Sequence, residues 1–400
     1  MGESDASAEV EISALAAGGE GVAREASGRV LFVRGGVPGD RVRARVVEAH
    51  KRFARAEIVE LVRASALRVT PPCRVHGECG GCGWQQVAYT AQLEAKRAIL
   101  RDALARVAGV DERTLAAPVE VAPSPEAYGT RSRARLLFRE GRVGFRRGRS
   151  HELVATSECP ILAPSLARAL AQLAAHPPRG SGELDLACGD DRGASVSGAR
   201  VPGFEERAIT LRTPGGDVAI SPRGFFQAHA GLRGALADAV FAAAGRGARA
   251  LELHAGAGFF TLGLAAQFAD LIAVESEPRA AADLRANLAR AQRTNVQVLA
   301  QRAARALASP EVARLAPEVV VLDPPRTGVG ESEAAALARL GARRIVYVSC
   351  DPATLARDLR ILLASGYRLA SCQGFDLFPQ TPHLEALAVL HAIAPDAARA

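Results

Sequence analysis

Ile345-Val-Tyr-Val-Ser-Cys350-Asp-Pro352 places a cysteine directly after an apolar run of β type. A parallel strand covered on both faces reads as such an unbroken run, and the residue at its carboxyl end is delivered into a cleft. Upstream, Val319-Val-Val-Leu-Asp323-Pro-Pro-Arg326 ends the same way, and so does Leu251-Glu-Leu-His-Ala-Gly256-Ala-Gly258. A thiol, an acid with two prolines and a glycine-rich turn at three strand ends describe a nucleotide-type cofactor pocket with a nucleophile beside it.

Around these motifs, from about residue 235 onward, the runs 250–253, 271–275, 296–300, 319–323 and 345–349 alternate with Ala-rich helical stretches. That rhythm predicts βαβ units and a parallel, doubly wound sheet. Glu275 closes the strand after the glycine turn and is placed to accept hydrogen bonds from ribose hydroxyls, while Gly256 and Gly258 let the backbone approach a ligand. The dinucleotide fingerprint is incomplete, because Thr261 stands where a third glycine belongs.

The first half has a different texture. Residues 8–63 read as short strands broken by glycine, with a turn over Gly35–Asp40, and predict a small antiparallel barrel of the oligonucleotide-binding kind. Residues 90–107 predict an amphipathic helix with Leu93, Ile99 or Leu100, Leu104 and Val107 on one face and Thr90 as its cap. Residues 128–149 predict a hairpin turning near Glu140-Gly141. At 400 residues, two or three domains are expected.

The formal charge is +7, and all of the excess lies in residues 1–150, where 25 Lys/Arg face 18 Asp/Glu; residues 151–400 hold 25 of each. Residues 131–149 carry eight arginines against the single acid Glu140. Such a cluster is the footprint expected for a polyanion. A general preference for arginine is the competing reading, since Lys51 and Lys96 are the only lysines. No apolar stretch is long enough to span a membrane, and the polar Met1-Gly-Glu-Ser-Asp-Ala6 is unlike a leader, so the expected location is the cytoplasm.

Seven cysteines, an odd number, argue against a disulfide framework. Cys73, Cys79 and Cys82 share a glycine-dense loop, and Cys159, in Ser157-Glu-Cys-Pro160, is the candidate fourth ligand. A Cys-Pro closing a remote trio favours a [4Fe-4S] cluster. Structural zinc, usually held by paired Cys arms, and a set of free core thiols are the alternatives. His76 reads as an exposed loop residue, and Cys188 and Cys372 as structural. The spacing of the first two cysteines does not fit a radical-S-adenosylmethionine trio.

Taken in order, the Gly-rich barrel, the four cysteines, Ser221-Pro-Arg-Gly-Phe-Phe-Gln227, Gly256-Ala-Gly258, Glu275, Asp323-Pro-Pro-Arg326, Ser349-Cys350-Asp-Pro-Ala-Thr-Leu355 and Phe378-Pro-Gln-Thr-Pro-His-Leu-Glu385 resemble the RNA uracil-C5 methyltransferase family, in its iron–sulfur branch with an N-terminal TRAM barrel. The resemblance implies an α/β, Rossmann-like class I methyltransferase domain (223–400), a TRAM-like barrel (1–66) and a central α+β iron–sulfur and RNA-binding domain (67–222), with helix 90–107 packed on the catalytic part. It implies S-adenosylmethionine (SAM) as cofactor, held by Gln227, His254, Gly256, Gly258, Glu275 and Asp323, and a [4Fe-4S] cluster on Cys73, Cys79, Cys82 and Cys159.

The same resemblance implies the chemistry. Uracil C5 is too weak a nucleophile to take a methyl group directly, so Cys350 would add to C6 and Glu385 would later remove the C5 proton. An unpaired or flipped-out uridine is implied, in 23S rRNA ahead of tRNA. The chain departs from the family at His254-Ala255, where an aromatic and a cysteine are usual, and at Phe259, usually a small polar residue. Cytosine-C5 methylation would call for Pro-Cys at the Asp323 strand, and an amino-group methyltransferase would have no need of Cys350; from a different class, a non-catalytic RNA-binding or assembly factor retaining the fold is the alternative, which Cys350→Ala separates.

Overall fold

The apolar runs of the second half form strands β1 (Gly247–Leu253), β2 (Phe268–Val274), β3 (Val296–Leu299), β4 (Val319–Leu322), β5 (Arg344–Ser349), β6 (Tyr367–Phe375) and β7 (Glu385–Ala392) of a single sheet. Their order is β3-β2-β1-β4-β5-β7-β6, and the short strand Val121–Ala122 adds beyond β6. This computed structural model describes residues 7–190 and 193–393; Met1–Ala6, read above as a polar terminus, lie outside them. The pairings among β1 to β5 are parallel, but β7 runs antiparallel to both β5 and β6. The five expected runs are thus the parallel strands, and two strands the sequence reading did not foresee, β6 and β7, make the whole sheet mixed. β7 enters between two strands as a return from β6, which a connector of nine residues, 376–384, allows only in the antiparallel sense.

Every residue of β4 is buried, and β5 is buried from Ile345 to Ser349, which is why both read as unbroken apolar runs. Helices cover both faces. On one face the helix Pro352–Ala364 contributes Leu355, Leu359 and Leu362 to a core that also holds Leu100 and Leu104 from the first half of the chain.

Those two residues come from the helix Tyr89–Ala103 and the π-helical turn Leu104–Ala108, which ends at the left-handed Gly109. The helix begins one residue earlier than expected, with Ala88 at the cap and no side-chain cap bond, so Thr90 lies inside the first turn instead of capping it.

The N-terminal strands Ser7–Glu11, Ala14–Leu15, Gly21–Arg24, Val30–Arg34, Arg41–Ala49 and Phe53–Arg63 form a curled six-stranded sheet around Leu31, Val33, Val42 and Ala54. Its glycine-rich turn is fixed by buried Asp40, which accepts from the backbone N–H groups of Val37 (2.7 Å) and Ser65 (2.9 Å).

A second, five-stranded sheet runs in the order Leu153–Ala155, Arg142–Arg146, Arg133–Arg139, Ser181–Ala187, Ser195–Ser197 and is backed by the helix Pro164–Ala175. The expected hairpin is present. Glu140 and Gly141 turn it with φ of 51° and 70°, the two left-handed residues of a type I′ turn.

The hairpin Ile209–Thr213/Gly216–Ile220 packs Leu211, Val218 and Ile220 against Ala255, Ala257, Leu262 and Leu284 of the catalytic sheet and its helices. Asn287 pins it there, accepting from the Ala219 N–H at 3.0 Å and donating to the Ala219 carbonyl at 2.8 Å.

Candidate active site

Strand register builds the site. Ser349 of β5 pairs with Ala386 of β7, so the next step of the ladder sets Cys350 against Glu385, the first residue of β7. β4 lies on the other side of β5, and Asp323 follows its last residue, Leu322. Thiol and carboxylates thus meet at one end of the central strands. The Asp-Pro pair behind Cys350 starts the next helix, Pro352–Ala364. Asp351 caps it by accepting from the N–H groups of Ala353 and Thr354, and Pro352 sits at the first helical position. Thr354 Oγ1 donates to the Arg326 carbonyl at 3.0 Å, tying the Asp323-Pro-Pro-Arg326 turn to that helix.

Electrostatically the site is a cluster of buried acids around a masked thiol. Burial, then the carboxylates of Glu385 and Asp323, push Cys350 up to about 12, with Arg326 opposing. Burial pushes Asp323 up to about 7 against the Gln227 amide, whose Nε2 donates to Asp323 Oδ2 at 3.2 Å. Glu385 is 1% exposed and is raised well above the usual carboxylate range by burial and by the Asp323 charge. Its Oε1 has no hydrogen-bond partner among the described residues. A buried carboxylate oxygen without a donor is costly, and it marks a group set to meet a ligand. Sequence reasoning missed a further acid, Glu252 on β1, pushed up to about 8 by burial.

Beside this cluster the turn after β1 presents backbone. Gly256 has φ of 56°, and a Cβ there would meet nothing within 4 Å, so the turn faces open space. Gly258, at φ of 100°, has Leu284 Cδ1 only 2.8 Å from where its Cβ would stand, which excludes a larger residue. Glu275 accepts from the N–H of Gly256 at 2.8 Å and from that of Glu277 at 2.6 Å, so its carboxylate is held at the rim. His254 takes a left-handed φ of 60°, and its Nε2 is buried without a partner among the described residues. Phe259, half-buried, packs edge-on against core residue Phe260 at 4.9 Å.

Ser221-Pro-Arg-Gly-Phe-Phe-Gln227 approaches from the other side. Ser221 is anchored through its N–H (2.8 Å) and Oγ (2.6 Å) to Asp283, and Gln227 is buried against Asp323. Between them Phe225 is 72% exposed, with the Arg133 guanidinium 5.9 Å from its ring centre. Sequence reading passed over Phe225, since only the structure distinguishes it from buried Phe226.

Cys73, Cys79, Cys82 and Cys159 line one cavity of about 550 Å3, together with His76 and Arg131. Burial raises Cys79, Cys82 (to about 11) and Cys159 (to about 12), neighbouring thiols add to the rise at each of the three, and Arg131 opposes it at Cys79 and Cys82. They do not close into a group of three or more ligands poised around one metal ion among the described residues. His76 is corrected from an exposed loop residue to part of this wall, half-buried with Nδ1 unpartnered among the described residues. Cys188 and Cys372 are buried apart.

The arginine cluster is less free than the sequence implies. Arg135 and Arg146 pair with Glu183, Arg147 with Glu78 and Glu152, and Arg149 with Glu20. These acids lie outside the arginine segment, so its local charge is partly neutralised. Exposed pairs of this kind contribute little and exchange readily for phosphate.

Residues 223–393 match the family model described as tRNA (uracil-5-)-methyltransferase, and residues 7–59 match the TRAM domain. The 23S rRNA (uracil(1939)-C(5))-methyltransferase RlmD of Halomonas elongata is 35% identical over 98% of this chain and 90% of its own length. The chain belongs to the RNA (uracil-5-)-methyltransferase family. The RlmD of Pseudomonas putida is 34% identical over 96% of this chain and 93% of its own. The crystal structure of Pyrococcus abyssi tRNA (uracil-54, C5)-methyltransferase with S-adenosyl-L-homocysteine superposes with a TM-score of 0.75 at 25% identity, covering 96% of this chain and all of that one. The chain is accordingly a class I SAM-dependent RNA methyltransferase with an N-terminal TRAM domain. No helix among the described residues is long and apolar enough to cross a membrane.

Proposed function

We propose that this methyltransferase acts in the cytoplasm on a uridine of 23S rRNA, through a covalent bond between Cys350 and uracil C6. The observation that carries the mechanism is the convergence of Cys350, Glu385 and Asp323, with Gln227 on Asp323, at one end of the central strands. The RlmD names of full-length relatives support 23S rRNA over tRNA.

In this reading the Cys350 thiolate forms an Sγ–C6 bond, and the C5=C6 pair shifts to make C5 enolate-like. The residues that would hold SAM are His254, Gly256, Gly258 and Glu275, where the turn faces open space and the His254 Nε2 lacks a partner among the described residues. Bound SAM supplies the methyl group that C5 takes up. Glu385 then accepts the C5 proton. The released C–H pair re-forms C5=C6, and the Sγ–C6 bond breaks to return the thiolate. Gln227 and Asp323 hold the uracil edge, and the high pKa of Asp323 lets it serve as a donor near neutrality. The buried, raised carboxyl of Glu385 suits a base that works only once a substrate is seated.

The chain divides functionally into 1–66, 67–222 and 223–400. The four thiols around their cavity fit a [4Fe-4S] cluster, soft sulfur ligands spread around a space larger than one ion fills. That cluster shapes the RNA-binding module, and Arg131 at its wall faces the negative charge of its ligands.

Mapping 5-methyluridine in 23S rRNA from cells lacking the protein tests the substrate. One uridine is expected to lose its methyl group and to regain it with the parent enzyme but not with Cys350→Ala. Unchanged rRNA with a lost tRNA methyl group would move the assignment to tRNA. Full rescue by Cys350→Ala would end the covalent mechanism.

A further inference from the structure

The connector between β6 and β7, which leads into Glu385, is gripped by side chains from a helix some 280 residues earlier in the chain. Lys96 is fully buried, and its Nζ donates to Asp376 Oδ1 at 2.5 Å and to the Phe378 carbonyl at 3.0 Å. Asp376 is fully buried as well, and its Oδ2 accepts from the Tyr89 hydroxyl at 2.8 Å. The Tyr89 oxygen in turn accepts from the Ser124 N–H at 2.7 Å. One turn along the same helix, buried Gln92 exchanges two bonds with Gln380: Nε2 donates to Gln380 Oε1, and the Gln380 N–H donates to Gln92 Oε1, both at 2.9 Å. Gln380 is held in the left-handed region at φ of 67°.

This arrangement is expensive as packing. A buried Lys–Asp pair loses more hydration than well-packed apolar residues of the same size would, and such replacements are often neutral or stabilising. Its distinctive property is direction: it fixes where Asp376, Phe378 and Gln380 stand, and with them the path of the chain into Glu385. None of Lys96, Gln92 or Tyr89 is among the groups that act on Cys350, Asp323 or Glu385.

We propose that Lys96 and Gln92 are positioning residues for Glu385, acting through the 376–380 connector. The inference rests on the covalent mechanism above. Of the two halves of that reaction, bond formation by Cys350 depends on β5 and its following helix, whereas removal of the C5 proton and release of the thiolate depend on where the connector sets Glu385. Misplacing a reacting group by about 1 Å costs on the order of 10²-fold. Loss of the grip therefore slows release more than attack.

The test is the double substitution Lys96→Met/Asp376→Asn, which removes both charges while keeping an acceptor for Tyr89, with Gln92→Met as an independent second variant and Glu385→Gln as reference. Enzyme, SAM and target RNA are mixed and resolved on a denaturing gel, alongside kcat, KM for RNA and Tm. Glu385→Gln is expected to hold a denaturation-resistant protein–RNA adduct. Both positioning variants are expected to accumulate the same adduct, with kcat reduced about tenfold to 10²-fold and KM within about twofold; the Tm stays close to the parent's in the double variant and falls in Gln92→Met, which also strands the Trp84 and Val87 carbonyls. Parent-like turnover, or a loss of kcat with no adduct while Glu385→Gln holds one, overturns the inference. Absence of the adduct in Glu385→Gln itself overturns the covalent reading on which it stands. If the double variant does not fold, the adduct level in Gln92→Met decides.

Discussion

Replacing Glu385 by glutamine should unmask the nucleophile even as it blocks the reaction. After burial, the Glu385 charge is the largest influence holding the Cys350 thiol up at about 12. A like charge at roughly 4–6 Å moves a pKa by about 1–3 units, so removing it lowers the thiol by about one unit or more. At pH 9 the ionised fraction then rises from about 0.1% to about 1%, a change of about 1.4 kcal/mol. Intrinsic nucleophilicity falls with pKa along a slope of about 0.4–0.5, so the net gain is about threefold to fourfold per unit. Iodoacetamide modification of the Cys350 peptide, followed by mass spectrometry between pH 8 and 10, reads this directly. Cys372, raised by burial alone, serves as the internal control and should keep its rate. An unchanged Cys350 rate would mean that thiol and carboxylate do not share a site, and the reasoning from strand register would fail with it.

Glu252 gives a pH signature. An acid raised from 4.5 to about 8 in the fold binds its proton more tightly folded than unfolded, so stability falls as pH rises across that window and levels off above it. Glu252→Gln should therefore match the parent's stability near pH 4.5 and exceed it at pH 8 by on the order of a few kcal/mol, read as a higher Tm there; parallel Tm curves would dismiss the effect. Phe225, exposed beside Arg133, offers a face for a base, and Phe225→Ala should weaken RNA binding by about 1–3 kcal/mol with no change in Tm. Equal affinity in a filter-binding assay would remove it from the interface. Anaerobically purified protein should contain about four irons per chain, lost in Cys159→Ser; stoichiometric zinc in their place would reject the cluster.

What the sequence disclosed follows from burial. β4 and β5 lie under helices on both faces, so their residues are apolar without interruption and the strand ends, Asp323 and Cys350, stand out. β7 was not legible as a strand: Glu-Ala-Leu-Ala-Val-Leu-His-Ala is built from residues that favour helices, and its place between β5 and β6 overrides that preference. The Lys96–Asp376 pair could not be read at all, because nothing local marks a lysine as buried. Charge was misleading for a related reason. The run 131–149 displays its arginines, while the acids that meet them, Glu20, Glu78 and Glu183, come from distant strands and loops.

The short strand Val121–Ala122 pairs with Gly374 and Phe375 at the end of β6, and so closes an edge of the catalytic sheet from the far side of two other folding units. During synthesis this segment leaves the ribosome long before the sheet it completes, and it must wait, with the helix 89–103, for nearly the whole remaining chain. The methyltransferase half is thus not a detachable cassette: a polypeptide starting at residue 223 would carry a bare β6 edge and an uncovered apolar face, ready to pair with its neighbours. Shuffling of this half between proteins by gene fusion would have to carry residues 89–122 with it, which ties the evolution of the RNA-holding part to that of the chemistry.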